Sequence, residues 1–185
     1  ESKMSNLYNY EIGLICFISF SISFFLCGII YFFSSAHLKF SARDHGEKSI
    51  QSVHEKPTSR LGGLAIITSF SILSFYLFIN NNEVIGLLLF LSSIPIVISG
   101  ILEDIGYSIL PKHRLFIAFF SGFLGCFTLS VWLTNLEFIW LNHLLNYTIF
   151  ALIFTSFCVA GICNSFNIID GLNGLSSGLA IIISI

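Results

Sequence analysis

Long runs without charge dominate the chain, and short polar segments separate them. A helix needs roughly 20 apolar residues to cross a hydrocarbon core of about 30 Å. Five apolar runs are of about this length: Ile12–Phe33, Leu61–Ile79, Val84–Leu102, Leu115–Leu133 and Leu145–Cys163. A sixth apolar run begins near Gly174. Because the runs are continuous rather than alternating, they indicate helices and not barrel strands. The pattern predicts an all-α, polytopic transmembrane helix bundle with five complete spans and a truncated sixth.

Composition supports a membrane protein and argues against a soluble domain. The chain is 55% hydrophobic and 10% charged, with a mean hydropathy of +0.90, whereas soluble domains carry about 25% charged residues. We therefore treat residues 1–185 as a single transmembrane domain, with membrane lipid and no nucleic acid as partners. The five cysteines all lie inside apolar runs, which favours small buried hydrophobes over disulfides or metal ligands. The first run is too long for a typical signal peptide, so it is interpreted as a retained helix.

The distribution of basic residues predicts an orientation. Seven of the eight Lys and Arg residues fall in the loops 34–60 and 103–114. Under the positive-inside rule these loops, together with the 164–173 stretch, are cytoplasmic and the N-terminus is outside. Three polar clusters should therefore meet at one membrane face.

The first cluster is the basic loop that contains Lys56 and Arg60, followed by Gly62 and Gly63. An arginine fork can hold a phosphate through two hydrogen bonds. The alternative is a solvated basic loop that contacts anionic lipid. The loop by itself favours the alternative.

The second cluster pairs Glu103 with Asp104 at the end of an apolar run. Adjacent carboxylates repel unless a cation neutralises them, and Mg²⁺ prefers such hard oxygen ligands. The alternative is a helix-end acid pair that is balanced by Lys112 and Arg114. Serine residues inside the first three spans are expected to bond to their own helix or to pack between helices rather than to act in chemistry.

The third cluster holds Asn164, Asn167 and Asp170, at positions i, i+3 and i+6. On a helix these three residues would share roughly one face. A polar patch of this kind is costly at a membrane edge without partners. Asn173 can instead be explained as the cap of the helix that begins at Gly174.

Three motifs resemble those of the polyprenyl-phosphate N-acetylhexosamine-1-phosphate transferases, which include the phospho-MurNAc-pentapeptide translocase. His54-Glu-Lys-Pro-Thr-Ser-Arg-Leu-Gly-Gly63 resembles H-x-x-P-x-P-R-x-G-G, and Gly100-Ile-Leu-Glu-Asp104 resembles G-x-x-D-D. Asn164-Ser-Phe-Asn-Ile-Ile-Asp-Gly-Leu-Asn-Gly174 resembles N-A-x-N-x-x-D-G-x-D-G. The chain departs from these patterns at Ser59, at Glu103 and at Asn173. The loss of charge at Asn173 argues against a role there that needs a carboxylate.

The resemblance implies a Mg²⁺-dependent enzyme, with Mn²⁺ as an alternative ion, that transfers N-acetylhexosamine-1-phosphate from a UDP-sugar to polyprenyl phosphate. Catalytic and metal roles fall on Glu103, Asp104 and Asp170. Substrate-binding roles fall on the remaining matched polar positions and their neighbours: Lys56, Arg60, Arg114, Asn164, Asn167, Gly171, Leu172 and Asn173. Family members have about ten or eleven spans, so the chain corresponds to an N-terminal half that is not expected to turn over alone.

The resemblance also implies a multi-pass protein of the bacterial inner membrane that initiates O-antigen, capsule or cell-wall glycan synthesis, with a homodimer left open. Two other classes remain as alternatives. In an ion-coupled transporter, Asp170 and the Glu103–Asp104 pair would belong to an ion pathway at mid-membrane depth. In an inactive membrane scaffold, they would have no catalytic role. The choice of sugar is left open.

Overall fold

A computed structural model describes residues 2–33, 62–105, 107–169 and 174–184, with side chains described from Gly13 onward. Seven helices are described: α1 Ser2–Phe32, α2 Gly62–Asn81, α3 Val84–Ile105, α4 Pro111–Leu129, α5 Ile139–Leu145, α6 Thr148–Ile169 and α7 Leu175–Ser184. No strand occurs within these ranges. The all-α prediction is confirmed.

The number of full-length spans differs slightly from the prediction. Four described helices are long and apolar enough to cross a membrane: Gly13–Phe32, Gly62–Asn81, Val84–Ile105 and Thr148–Ile169. The helix that differs is α4, since its first turn carries Lys112 and Arg114 and its apolar part begins only at Leu115. The predicted truncated sixth span corresponds to the shorter helix α7. The chain is a polytopic helical membrane protein.

The ends of α4 have local causes. Pro111 occupies the first turn, where a missing backbone N–H breaks no helical hydrogen bond. At the other end Ser130 takes a left-handed conformation with φ 54°, and the N–H of Val131 donates to the carbonyl of Cys126 at 3.1 Å. The helix therefore stops at Leu129 and not at the predicted Leu133. The short helix α5, which follows, was not predicted.

The described residues form two compact units. The first unit contains α1, α2 and the part of α3 as far as Phe90. In it the Phe90 ring lies 6.5 Å from the ring of Phe70 and 6.1 Å from that of Phe75, measured between centroids. Ser74 is 1% exposed, and its hydroxyl donates to the carbonyl of Phe70 at 2.8 Å. The second unit contains α3 from Leu91 onward and helices α4 to α7.

Small residues bring α3, α4 and α6 close together within the second unit. The Ser121 hydroxyl of α4 donates to the carbonyl of Ser92 in α3 at 2.5 Å. On α4, a Cβ atom added at Gly122 would lie 3.1 Å from Cβ of Val159 and 3.4 Å from the carbonyl oxygen of Ser156, both on α6. Small residues are typical of helix interfaces in membranes because they let backbones approach. This packing brings α3, α4 and α6 together in one bundle.

We expect Gly122→Leu to destabilise the protein by about 1–3 kcal/mol, because a larger side chain must displace Val159 or move the two helices apart. Gly161→Leu is the matched control, since a Cβ atom at Gly161 meets nothing within 4 Å. The measurement is thermal unfolding of the detergent-purified protein. Equal melting temperatures for the two variants would show that α4 and α6 do not pack through Gly122.

Candidate functional site

Arg114 is the centre of a polar cluster that joins three helices of the second unit. It lies in the first turn of α4, and its NH1 atom donates to Oε1 of Glu103 at 3.0 Å and to Oε2 at 3.3 Å. Its NH2 atom donates to Oδ1 of Asn164 at 3.2 Å. Glu103 is near the end of α3 and Asn164 is near the end of α6. One guanidinium therefore connects α3, α4 and α6.

Asn167 completes the cluster. With its carboxamide oriented so that the oxygen faces Arg114, Oδ1 accepts hydrogen bonds from Nε at 3.1 Å, from NH2 at 3.3 Å and from NH1. Asn164 and Asn167 are one turn apart on α6, which continues to Ile169. The predicted shared helix face is confirmed for these two asparagines, while Asp170 lies outside the described residues. The predicted end of this span at Cys163 is wrong, because α6 remains helical through both asparagines.

A cavity of about 200 Å³ lies beside the cluster. Its walls come from three helices: Ile96, Ser99, Gly100 and Glu103 of α3, Arg114 and Ala118 of α4, and Cys163, Asn164 and Asn167 of α6. The α3 residues follow the three- and four-residue spacing of one helix face. The cavity thus has charged and carboxamide groups toward the helix ends and small or apolar groups further inside.

The charged pair of the cluster is only partly shielded from solvent. The side chain of Arg114 is 22% exposed and that of Glu103 is 32% exposed. The two charges compensate each other, so the cluster carries no net charge of its own. Ionic hydrogen bonds in such a position stabilise the fold by about 1–3 kcal/mol.

Four of the predicted site residues are brought together, namely Glu103, Arg114, Asn164 and Asn167. Asp104 follows Glu103 in α3 and does not line the cavity. The other predicted residues lie outside the described residues, so their placement stays a prediction: Lys56, Arg60, Asp170, Gly171, Leu172 and Asn173.

The part of the cavity that Ser99 forms is not predicted from the sequence. Ser99 is 3% exposed, and its Oγ atom has no hydrogen-bond partner among the described residues. The sequence predicts instead that Ser99, like the other serines of the first three spans, bonds to its own helix or packs between helices. The available signal was spacing, because Ser99 lies four residues before Glu103 and so falls on the same helix face.

The described residues fit a metal ion only in part. Within them, no group of three or more His, Cys, Asp and Glu side chains could hold a metal. Glu103 and Asp104 offer the hard oxygen atoms that Mg²⁺ prefers, but the Glu103 carboxylate is bound by Arg114. For Glu103, the structure therefore shows the alternative that the sequence left open, in which Arg114 balances the charge of the acid. A metal site here would need further ligands from outside the described residues.

The fold and the cluster define a class: a polytopic helical membrane protein with a polar site where several helices end. The family model described as Glycosyl transferase family 4 matches residues 86–185, which is more than half of the chain. The chain belongs to this family. The matched segment contains every residue of the Arg114 cluster and of the cavity.

Two curated relatives are similar to the chain over most of its length. Both are phospho-N-acetylmuramoyl-pentapeptide-transferases of Clostridium perfringens, from strain 13 and strain ATCC 13124, and each is 26% identical over 157 residues. The aligned region covers 80% of this chain and 49% or 48% of the relatives. The chain thus spans about half the length of these relatives. No solved structure matches it.

Proposed function

We propose that residues 1–185 form the N-terminal part of a membrane enzyme that transfers N-acetylhexosamine-1-phosphate from a UDP-sugar to polyprenyl phosphate. The products are a polyprenyl-diphospho-sugar and UMP. The observation that carries the proposal is the Arg114 cluster, which places a cation and two carboxamides beside a cavity in the segment that matches the family. The names of the two relatives support a phospho-sugar transferase.

The proposed step forms one bond and breaks one bond at phosphorus. An oxygen of the lipid phosphate attacks the β-phosphorus of the UDP-sugar, and the bond from that phosphorus to the bridging oxygen breaks. UMP leaves with the electron pair. Such a transfer depends on positioned and neutralised oxygens more than on covalent help from the protein. A phosphate monoester is already mostly ionised near neutral pH, so the step has little need of a general base.

The residues of the Arg114 cluster have distinct roles in this proposal. Arg114 neutralises a phosphate oxygen, since a guanidinium fork matches phosphate geometry. Asn164 and Asn167 orient Arg114 through their carboxamide oxygens. Lys56 and Arg60 are proposed as further phosphate ligands, and the stretch from Gly171 to Asn173 as the uridine side.

Mg²⁺, with Mn²⁺ as an alternative, would supply charge neutralisation at the diphosphate when bound. Asp104, Glu103 and Asp170 are the residues proposed to hold it. Arg114 already binds the Glu103 carboxylate, so Glu103 would have to leave that arginine in order to hold the ion. The proposed location is the cytoplasmic face of a bacterial inner membrane, and the proposed outcome is initiation of an envelope glycan.

The position of the charged groups along their helices disfavours the transporter alternative. Glu103 lies in the last turn of α3, and Arg114 lies in the first turn of α4. A carrier would place its ion-pathway groups near the middle of the bilayer. The inactive scaffold differs from the enzyme only in turnover, so an assay separates the two.

We expect membranes that contain the full-length protein to incorporate labelled sugar-phosphate into lipid when UDP-N-acetylhexosamine, polyprenyl phosphate and Mg²⁺ are supplied. UDP-GlcNAc is tested alongside other UDP-N-acetylhexosamines. Chelation of the divalent ion should stop the incorporation, and added Mg²⁺ or Mn²⁺ should restore it. Membranes from the same host without the protein are the control. Absence of a lipid-linked sugar with every UDP-sugar tested would refute the enzyme and favour the scaffold.

A further inference from the structure

Ser99 differs from other buried serines of the described helices. Four buried serine hydroxyls donate to a backbone carbonyl at 2.5 to 2.9 Å: Ser69 to Ile66, Ser74 to Phe70, Ser121 to Ser92 and Ser156 to Leu152. The Ser99 hydroxyl is buried but has no partner among the described residues. A buried hydroxyl without a partner costs free energy, so a hydroxyl of this kind calls for an explanation.

Ser99 is one of the residues that line the cavity. A serine in a helix usually donates to a carbonyl three or four residues earlier, and Ser99 does not. Its neighbour Gly100 also lines the cavity, and a Cβ atom added there would meet nothing within 4 Å. A ligand that enters the cavity therefore has room beside Gly100, the residue that follows Ser99.

Two of the polar groups around the cavity are hydrogen-bond donors that can face an anion. Arg114 supplies a guanidinium, and Ser99 supplies a hydroxyl. Asn164 and Asn167 turn their oxygens to Arg114, so their nitrogen donors point elsewhere. Glu103 is the one described acidic residue that lines the cavity; its side chain is 32% exposed, and a phosphate would have to displace it from Arg114. This set matches an oxyanion such as phosphate.

We propose that Ser99 donates a hydrogen bond to a phosphate oxygen of a substrate that Arg114 holds in this cavity. The proposal rests on the proposed function and adds a binding residue to that site. Two substrates carry phosphate, namely the polyprenyl phosphate and the UDP-sugar. Both substrates offer phosphate oxygens to the Ser99 hydroxyl, and the KM measured for each substrate distinguishes them.

The test uses the full-length protein with three variants. Ser99→Ala removes the hydroxyl, Ser99→Thr keeps it, and Ser74→Ala is the matched control because Ser74 is equally buried but bonds to its own helix. We expect Ser99→Ala to raise the KM for one of the two substrates about tenfold, as loss of a hydrogen bond to a charged group does. Ser99→Thr and Ser74→Ala should stay close to the wild type.

The melting temperature distinguishes a binding role from a structural one. In the ligand-free protein Ser99→Ala removes an unpaired buried hydroxyl, so we expect its melting temperature to rise. A structural role would lower it. Unchanged KM values for both substrates in Ser99→Ala, or a lowered melting temperature without a change in KM, would overturn the proposal.

Binding of inorganic pyrophosphate, measured as a shift in melting temperature, separates this proposal from the proposed function. If the wild type transfers no sugar-phosphate but its pyrophosphate shift is lost in Ser99→Ala, the phosphate subsite stands and the transferase fails. If transfer occurs and Ser99→Ala behaves as the wild type, only the subsite fails. If neither transfer nor a pyrophosphate shift is found, both are wrong.

Discussion

Arg114→Ala is expected to lower the transfer rate of the full-length protein by at least about a hundredfold, the size of effect seen when one group that stabilises charge at a reacting centre is lost. The guanidinium is the only described cation that lines the cavity. Without it the Glu103 carboxylate would repel a phosphate rather than compensate a cation. The measurement is the initial rate of lipid-linked product formation at saturating substrates.

The same change should also lower the free energy of unfolding, by about 1–3 kcal/mol. Arg114 donates to Glu103, Asn164 and Asn167 at once, so alanine leaves three acceptors without this donor. The loss stays below that of a fully buried pair because the side chains of Arg114 and Glu103 are 22% and 32% exposed. Thermal unfolding of the detergent-purified variant checks this.

Arg114→Lys separates charge from geometry. Lysine keeps the positive charge but presents it as a point rather than as a planar fork, so it cannot bond three acceptors on two neighbouring helices in the same way. We expect an intermediate rate and an intermediate stability. Lys112→Ala is the matched control, since Lys112 is an exposed neighbour in the same turn that does not line the cavity. Equal effects of Arg114→Ala and Lys112→Ala would show that the cluster has no special role.

Asp104→Asn is the second change for which we expect a large effect, again a loss of at least about a hundredfold in rate. The physical reason is the loss of a negatively charged oxygen ligand for Mg²⁺, which an amide oxygen replaces poorly. If Asp104 holds the ion, the variant should also need a higher Mg²⁺ concentration for half-maximal rate. The measurement is the rate as a function of Mg²⁺ concentration.

Glu103→Gln is the matched variant for Asp104→Asn. Glutamine keeps an oxygen that can accept from Arg114, and the carboxylate that it replaces is bound to that arginine. We therefore expect a clearly smaller change in the Mg²⁺ requirement than for Asp104→Asn. Identical Mg²⁺ curves for the two variants would contradict the proposal that Asp104, and not Glu103, holds the ion.

The sequence by itself determined the helices, because a continuous apolar run in a membrane has few other ways to satisfy its backbone. The predicted span Leu61–Ile79 is α2 at Gly62–Asn81, and Val84–Leu102 is α3 at Val84–Ile105. The predicted helix ends are wrong where local backbone geometry decides where a helix stops. α4 ends at a left-handed Ser130, and α6 continues through polar residues that resembled a loop.

The sequence also singled out the chemistry of the site, but it offered the pairing of the acids with Arg114 only as an alternative. It marked Glu103, Arg114, Asn164 and Asn167 as candidates, since charged and amide groups at the end of an apolar run are costly without partners. It could not show that Glu103 binds Arg114 across eleven positions of the chain, because that contact depends on how α3 packs against α4. A carboxylate expected to hold a metal is thus the partner of an arginine.

Only the tertiary structure decided that the buried Ser99 hydroxyl has no hydrogen-bond partner among the described residues. Sequence spacing places a serine on a helix face, but whether its hydroxyl bonds to its own backbone depends on its rotamer and on the neighbouring helices. Here α4 and α6 leave a cavity next to that face. An apolar run is a property of consecutive residues in the sequence, whereas a cavity exists only between helices that packing has brought together.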